Sequence, residues 1–198
     1  MIPARTLPHP RHPATRPLRA ATWLRRLCAA LALALLSVPP ATGQEKLDPA
    51  EEYRLKAAFL FNFANFATWP DEGAADALTL CVYGDDPFGT HLDALVGRKA
   101  GKRSLRVERM HSVDALGSCQ VVFVTRPMVS NLARVLDRVG GRAVLTVADS
   151  PGALDTGVML NMDSASGRIS FAANLAAARR QGLGLSSRLL NLATEVRQ

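Results

Sequence analysis

The pattern of apolar and polar positions is most pronounced between residues 48 and 70, the most apolar stretch after the N-terminal segment. Its apolar positions recur every three or four residues, and this spacing predicts an α-helix. Asp48 is placed to cap the helix, Pro49 fits the first helical position, and Glu51 can complete a capping box. Pro70 marks its end, because the residue before a proline is disfavoured in helical conformation. The main apolar face comprises Leu55, Phe59, Phe63 and Phe66.

Further apolar side chains widen this face over most of the predicted helix. What remains polar is a thin ridge formed by Arg54, Lys56, Asn62 and Asn65. We therefore predict a long apolar helix that is buried around most of its circumference. It either lies in the core of the domain or meets another chain.

Beyond this helix, short apolar runs alternate with helical patterns near residues 86–96 and 127–139. This alternation predicts a single α/β domain of three layers with a mostly parallel central sheet, flavodoxin-like or related, and with the second strand at an edge. In that arrangement the first and third strands are neighbours. The four predicted strands cover residues 78–83, 104–110, 120–125 and 143–148.

The last quarter of the chain has a different pattern. Residues 157–162 and 168–172 predict a hairpin. Two short C-terminal helices are predicted at residues 175–181 and 187–197.

The N-terminal segment has the features of a targeting sequence. It carries six arginines and no acid before Glu45, then a short apolar run at residues 27–36 and small residues near Gly43. We predict a signal peptide over residues 1–43, cleaved after Gly43, with residues 44–198 as one domain; an uncleaved anchor is the alternative.

Removal of the leader also changes the charge. The chain has 24 basic and 17 acidic residues, and loss of the six leader arginines leaves 18 against 17. This balance excludes a globally basic nucleic-acid-binding domain.

Two cysteines follow the predicted leader, Cys81 on the first strand and Cys119 at the start of the third. Neighbouring strands would place them within bridging distance, and an exported protein meets an oxidising environment. A structural or sensing disulfide is therefore one expectation, and two buried free thiols are the other. No CxxC motif is present.

The loop after the first strand is the best candidate for a ligand site, since open α/β sheets bind ligands at the carboxyl ends of their strands. It contains Gly84, Asp85, Asp86 and Gly89. The acidic pair alone suggests a magnesium site, but the third strand ends without a carboxylate, and helix capping by Asp86 accounts for half of the pair.

The residues give no positive indication of an enzyme. No nucleophile elbow occurs, and the only histidines after the leader, His91 and His111, lack a recognisable catalytic or zinc-binding pattern. We predict no catalytic residues, no metal and no cofactor.

Four stretches carry a resemblance to a known family. They are YRLKAAFL at residues 53–60 with Phe63, Phe66, Trp69 and Pro70; CVYGDDPFG at residues 81–89; LTV at residues 145–147 with Asp149; and Phe171, Asn174, Ala177, Gly182, Leu183, Ser186, Leu189, Leu190, Leu192 and Ala193. Together they resemble the YfiR-like family of exported bacterial proteins over essentially the whole of residues 44–198. Cys81 and Cys119 match one cysteine pair of its best-known member, whose second pair has no counterpart here.

The resemblance implies a non-catalytic periplasmic regulator. The family's namesake binds the periplasmic domain of a membrane-anchored diguanylate cyclase and represses it, and an outer-membrane-associated lipoprotein sequesters the repressor. Cyclic-di-GMP signalling and biofilm formation follow indirectly. A homodimer is also compatible with so apolar a domain.

Two surfaces are candidates for partner binding. One is the outer side of the 48–70 helix. The other, which we favour because glycine-spaced leucines are harder to explain as core, is formed by Arg179, Arg180, Leu183, Leu185 and Arg188. The alternatives are a periplasmic small-ligand or redox sensor, whose ligand would lie in the loop at residues 84–89, and a hydrolase with an unrecognised site.

Overall fold

The computed structural model describes residues 46–70, 76–165 and 167–198. The predicted signal peptide at residues 1–43 lies outside the described residues, so it stays a prediction. Within the described residues, no helix is both long enough and apolar enough to cross a bilayer.

Strands and helices alternate through the described part of the chain. The helices are α1 (Pro49–Phe66), α2 (Thr90–Asp93), α3 (Leu132–Val139), α4 (Ala153–Thr156), α5 (Leu175–Arg180) and α6 (Ser187–Leu190). Two 3-10 helices cover Val113–Ser118 and Arg126–Asn131. The strands are β1 (Ala67–Thr68), β2 (Ala77–Tyr83), β3 (Lys99–Ala100), β4 (Arg103–Met110), β5 (Val121–Val124), β6 (Leu145–Ala148), β7 (Leu160–Asp163), β8 (Ser170–Asn174), β9 (Gly184–Leu185) and β10 (Glu195–Arg197).

Helix α1 begins at Pro49, the first helical position that the sequence predicts. The predicted capping box is wrong, because the Asp48 side chain makes no capping hydrogen bond and Glu51 pairs with Arg54. The helix also ends at Phe66, before Pro70, because the chain turns there into β1, which pairs antiparallel with β9.

The prediction of a long apolar helix with a thin polar ridge needs correction. Two charged residues, Glu52 and Lys56, lie on the buried side of α1 beside Leu60 and Phe63. Lys56, which the pattern places on a solvated ridge, is completely buried. The structure therefore has an 18-residue helix with charges in its interior face, and not an apolar one.

Eight strands form one mixed, mostly parallel sheet in the order β10-β8-β7-β6-β5-β2-β4-β3. Its five central parallel strands run β4-β2-β5-β6-β7, the strand order of flavodoxin-like sheets. The first and third predicted strands, β2 and β5, are neighbours as expected. The predicted edge position of β4 needs a correction, because β3 is the last strand of the sheet and pairs antiparallel with Arg103 and Ser104 of β4.

Two core clusters cover the two faces of this sheet. Side chains of α1, α5 and α6 pack on one face, around Leu80, Phe123 and Val147. Side chains of α3 and the 113–118 turn pack on the other, around Val122 and Val124. Because both faces are covered, β5 and β6 are buried at every position, which explains their continuous apolar runs.

The disulfide joins Cys81 of β2 to Cys119, two residues before β5, with the Cα atoms 5.9 Å apart. The bridge therefore ties β2 to the segment that leads into its neighbouring strand, β5. Of the two expectations for the cysteines, the structure has the disulfide.

Several predicted elements are shorter than their patterns suggest. The helix expected at residues 86–96 is reduced to α2, because the Asp86 carboxylate accepts from Phe88 N and folds a turn instead. The 127–139 helix opens as a 3-10 helix before α3. The hairpin is present as β7 and β8. The last predicted helix ends at α6, and its remainder forms β10 alongside β8.

Candidate functional site

The carboxyl ends of β5 and β6 meet under the first turns of α1. In open α/β sheets this edge is where ligands usually bind. Here four charged side chains converge on it, and we call Glu52, Lys56, Arg126 and Asp149 the ionic cluster.

Lys56 is the centre of the ionic cluster. Its ammonium donates to Glu52 Oε1 and to Asp149 Oδ2, and the side chains of Lys56 and Asp149 are completely shielded from solvent. Its Nζ also lies 4.7 Å from the centre of the Tyr53 ring. The buried ammonium thus has two carboxylate partners and an aromatic face.

Arg126 closes the cluster from the solvent side, where its side chain is about half exposed. Its guanidinium lies 2.7 Å from Glu52 Oε1 and 3.2 Å from Asp149 Oδ2. Tyr53 donates its hydroxyl to the same Asp149 oxygen at 3.1 Å. The positive charges of Lys56 and Arg126 therefore balance the negative charges of Glu52 and Asp149.

The environment shifts the pKa values of Glu52, Tyr53 and Arg126. Burial alone would raise the pKa of Glu52, but hydrogen bonds from Lys56 and Ser164 and the charges of Lys56 and Arg126 lower it overall. Burial and the Asp149 carboxylate raise the pKa of the Tyr53 phenol. Glu52 is thus held as a carboxylate and Tyr53 as a neutral hydrogen-bond donor.

Each member of the ionic cluster is positioned by the secondary-structure element that carries it. Glu52 and Lys56 are four residues apart on α1 and so share one face of the helix. Arg126 opens the 3-10 helix after β5, and Asp149 follows β6 directly. The parallel pairing of β5 with β6 brings these two positions to the same edge.

The arrangement anchors α1 to the sheet by charge as well as by apolar packing. Removing one member would leave a buried charge without its partner, which typically costs roughly 3–5 kcal/mol. Asp149 Oδ1 and Ser150 Oγ are buried without hydrogen-bond partners among the described residues.

The predicted ligand loop lies at the end of β2 and is held by protein contacts. Asp86 accepts from Phe88 N and from Arg109 Nε, at 2.8 and 2.9 Å. Asp85 is exposed.

The two glycines of this loop both have positive φ. Gly84 packs closely enough that a Cβ atom would lie 2.3 Å from Thr125 Oγ1. Structural roles therefore account for Asp86 and Gly84. Among the described residues, no three His, Cys, Asp or Glu side chains gather as a metal site.

The C-terminal candidates divide into core and surface. Leu183 and Leu185 are 2% and 8% exposed, so the premise that they are hard to explain as core is wrong. The reason is the pairing of β9 with β1, which turns both leucines inwards toward α1 and α5. Three candidates remain on the surface: Arg179, Arg180 and Arg188.

The sequence pattern misses the ionic cluster. Lys56 looks solvated by helical periodicity, and Arg126 and Asp149 look like ordinary strand-end residues. One signal was present, since Tyr53, Lys56 and Asp149 all fall in stretches that carry the family resemblance. Only the fold shows that these stretches touch.

The fold and the site define a mixed α/β domain whose ligand edge is filled by its own charged side chains. The family model described as YfiR/HmsC-like matches residues 53–194. The chain therefore belongs to the YfiR/HmsC-like family, as the resemblance indicates.

Solved structures give only a likeness of fold. A conserved domain protein from Vibrio cholerae O1 biovar El Tor is similar with a TM-score of 0.50 and 9% identity, over 73% of this chain and 60% of that one. The ABC domain in complex with L-Trp from Streptococcus pneumoniae gives a TM-score of 0.46 and 8% identity, over 60% of this chain and 55% of that one. The chain thus spans less than two thirds of either protein. Comparison with curated proteins finds no match.

Proposed function

We propose that this protein is a non-catalytic periplasmic regulator that binds the periplasmic domain of a membrane-anchored diguanylate cyclase and holds the cyclase inactive. The observation that carries the proposal is the YfiR/HmsC-like family match over residues 53–194. The Cys81–Cys119 disulfide supports it, because such bonds persist in oxidising compartments. Cyclic-di-GMP level and biofilm formation would follow indirectly.

Export is part of the proposal. A signal peptide over residues 1–43 would deliver residues 44–198 to the periplasm. The intact mass of the exported protein tests this: the expected mass begins at Gln44. A mass that retains the arginine-rich start would instead support the uncleaved anchor.

Repression requires the regulator to prefer the inactive state of its target. Shifting an equilibrium from 1:99 to 99:1 takes about 5.5 kcal/mol of differential binding. Interfaces supply such energy mainly through aromatic and arginine anchors at their centre. The binding surface should therefore combine both residue types.

One surface of the described domain has this combination. The Arg188 guanidinium of α6 lies 5.5 Å from the centre of the Phe66 ring at the end of α1. Phe66 is partly exposed, as is Phe59 on the same side of α1. Arg179 and Arg180 at the end of α5 add exposed positive charge. We propose that α1 and these three arginines meet an acidic, partly apolar surface of the cyclase domain.

Capture from the host's own inner membrane tests the proposal. The exported protein is crosslinked mildly in cells, purified and searched for a transmembrane protein with a cyclase domain. A variant with Arg179, Arg180 and Arg188 changed to Glu should lose this partner. The matched control changes the exposed residues Lys102, Arg106 and Arg134 to Glu and should retain it.

The outcomes distinguish an incorrect binding surface from an incorrect function. If both variants retain the cyclase, the arginine surface is wrong but the repressor role stands. If folded, oxidised wild-type protein captures no cyclase, the proposed function fails. An outer-membrane-associated lipoprotein in the same experiment would extend it to a second partner that releases the cyclase. Self-crosslinking would reveal a homodimer.

A further inference from the structure

A cleft of about 500 Å³ lies at the opposite edge of the sheet from the ionic cluster, beside the amino ends of β5 and β6. Its size falls within the range of small-molecule sites. We propose that it binds the oxyanion group, carboxylate or phosphate, of a small molecule. The described lining residues are Trp69, Pro70, Arg103, Cys119, Gln120, Gly141, Arg142, Ala143, Val144 and Gln181.

Hydrogen-bond donors dominate the polar part of this cleft. The indole nitrogen of Trp69 is buried and has no hydrogen-bond partner among the described residues, although a buried N–H normally has one. An indole N–H can only donate, so the atom that satisfies it must be an acceptor. An oxyanion supplies several acceptors in a small volume.

The side-chain amide oxygens of Gln120 and Gln181 are already used by the protein. Gln120 Oε1 accepts from Thr79 N at 2.8 Å, and Gln181 Oε1 accepts from Arg142 N at 3.1 Å. These bonds fix both amides so that their NH₂ groups are the ends left to donate. The NH₂ group of Gln120 donates one hydrogen bond to Ser118 O. A ligand that offers only donors would therefore find few partners here.

The charges of the described lining residues favour an anion. Arg142 bonds to the carbonyl oxygen of Gly117, and the neighbouring Arg138 bonds to that of Asp114. Both guanidiniums are thus positioned by uncharged acceptors. Among the described lining residues of the cleft, none is a carboxylate. Arg180 lines a smaller adjoining cleft of about 200 Å³ that shares Gln181.

Tryptophan fluorescence gives a direct readout, because the chain has two tryptophans, Trp23 and Trp69, and Trp69 lines this cleft. In the Trp23→Phe chain, Trp69 is the single tryptophan whether or not the leader remains. Acetate and inorganic phosphate are titrated at constant ionic strength, with chloride as the control salt. We expect a saturable change in Trp69 emission with at least one of the two oxyanions and none with chloride.

Substitutions of lining residues test whether the change in Trp69 emission comes from binding in the cleft. Losing a charge-assisted hydrogen bond should weaken binding about tenfold or more, so Arg142→Gln should raise the Kd of the oxyanion by at least that factor. Gln181→Glu, which places a carboxylate in the cleft at nearly constant volume, should abolish binding. Arg134→Gln, a change of the same type at an exposed position on α3, should leave the Kd unchanged. Circular dichroism identifies any variant that has unfolded.

The two probes distinguish the sources of the oxyanion. Saturation by acetate alone assigns a carboxylate ligand, and saturation by phosphate alone assigns a phosphorylated one. Absence of a saturable response to both, or an unchanged Kd in folded Arg142→Gln and Gln181→Glu, overturns the proposal. Capture of the cyclase is a separate measurement, so either proposal can fail without the other.

Discussion

Lys56 of α1 forms an ion pair with Asp149, the residue after β6, and both side chains are fully shielded from solvent. The two residues are 93 positions apart in the chain. Their pairing thus connects the first helix with the centre of the sheet. Since Arg126 and Glu52 complete the cluster, the docking of α1 depends on charge balance at a buried site.

Replacing Lys56 by Met tests this dependence. The substitution keeps most of the side-chain volume but leaves the carboxylates of Glu52 and Asp149 without their shared ammonium. We expect the free energy of unfolding to fall by roughly 3–5 kcal/mol, as for other buried ion pairs that lose one partner. Urea denaturation measures the change.

The matched control is Arg54→Met on the same helix. Arg54 pairs with Glu51 in solvent, so its loss should change stability little. Equal destabilisation by both substitutions would show that helix propensity, and not the buried cluster, governs the result.

Acid should weaken the cluster through Glu52. Although burial opposes it, the bonds from Lys56 and Ser164 and the nearby cations hold the folded-state pKa of Glu52 below 4.5. A depressed carboxylate pKa contributes stability above the unfolded value and loses it as pH falls through the folded value. We therefore expect the unfolding free energy to decrease as the pH is lowered below about 4.5. Glu52→Gln should flatten this part of the profile; an unchanged slope would exclude Glu52 as its source.

The disulfide between Cys81 and Cys119 should stabilise the domain. It closes a segment of 38 residues, for which chain entropy predicts a contribution of about 4 kcal/mol. The Cys81→Ser/Cys119→Ser protein should melt at a clearly lower temperature than the oxidised protein. Reductant should lower the wild-type melting temperature and leave the double variant unaffected, whereas a response in both would point to another cause.

Leu183→Asp should unfold or strongly destabilise the domain. Leu183 is buried in the apolar cluster where β9 lies against β1 and α1, so a charge at this position would be desolvated. Leu183→Ala should cost about 2–5 kcal/mol. Leu192→Asp is the control, since Leu192 is 66% exposed. A folded Leu183→Asp protein with wild-type stability would contradict its assignment to the core.

Two glycines of the loop after β2 give a matched comparison. Both have positive φ, so alanine at either position should cost about 1–3 kcal/mol in backbone strain. At Gly84 the new Cβ would also displace Thr125, whose hydroxyl donates to Tyr83 O, whereas Gly89 has open space. Gly84→Ala should therefore destabilise more than Gly89→Ala in urea denaturation, and the reverse order would refute the packing role of Gly84.

Much of the fold follows from local patterns. Continuous apolar runs identify β2, β5 and β6, because strands covered on both faces have no polar side. Pro49 marks the start of α1 for a reason that acts within one helical turn. The predicted helix ends that are wrong, such as those of α1 and α6, depend on strand partners far away in the chain.

The family was also recognisable from the sequence, and the family model matches residues 53–194. The candidate partner surface stays a prediction. Arg179, Arg180 and Arg188 are exposed, but periodicity alone does not show that Leu183 and Leu185 turn inwards.

The sequence by itself determined the class of domain, the neighbouring positions of the two cysteine-bearing strands and the resemblance to the family, since these rest on local periodicity and motif order. Only the tertiary structure decided that Lys56 is buried with Asp149 and Glu52, and that Trp69, Arg142 and Gln181 line one cleft. The reason is physical. Whether a charged side chain is solvated or paired depends on which distant segments fold against it, and no local pattern carries that information.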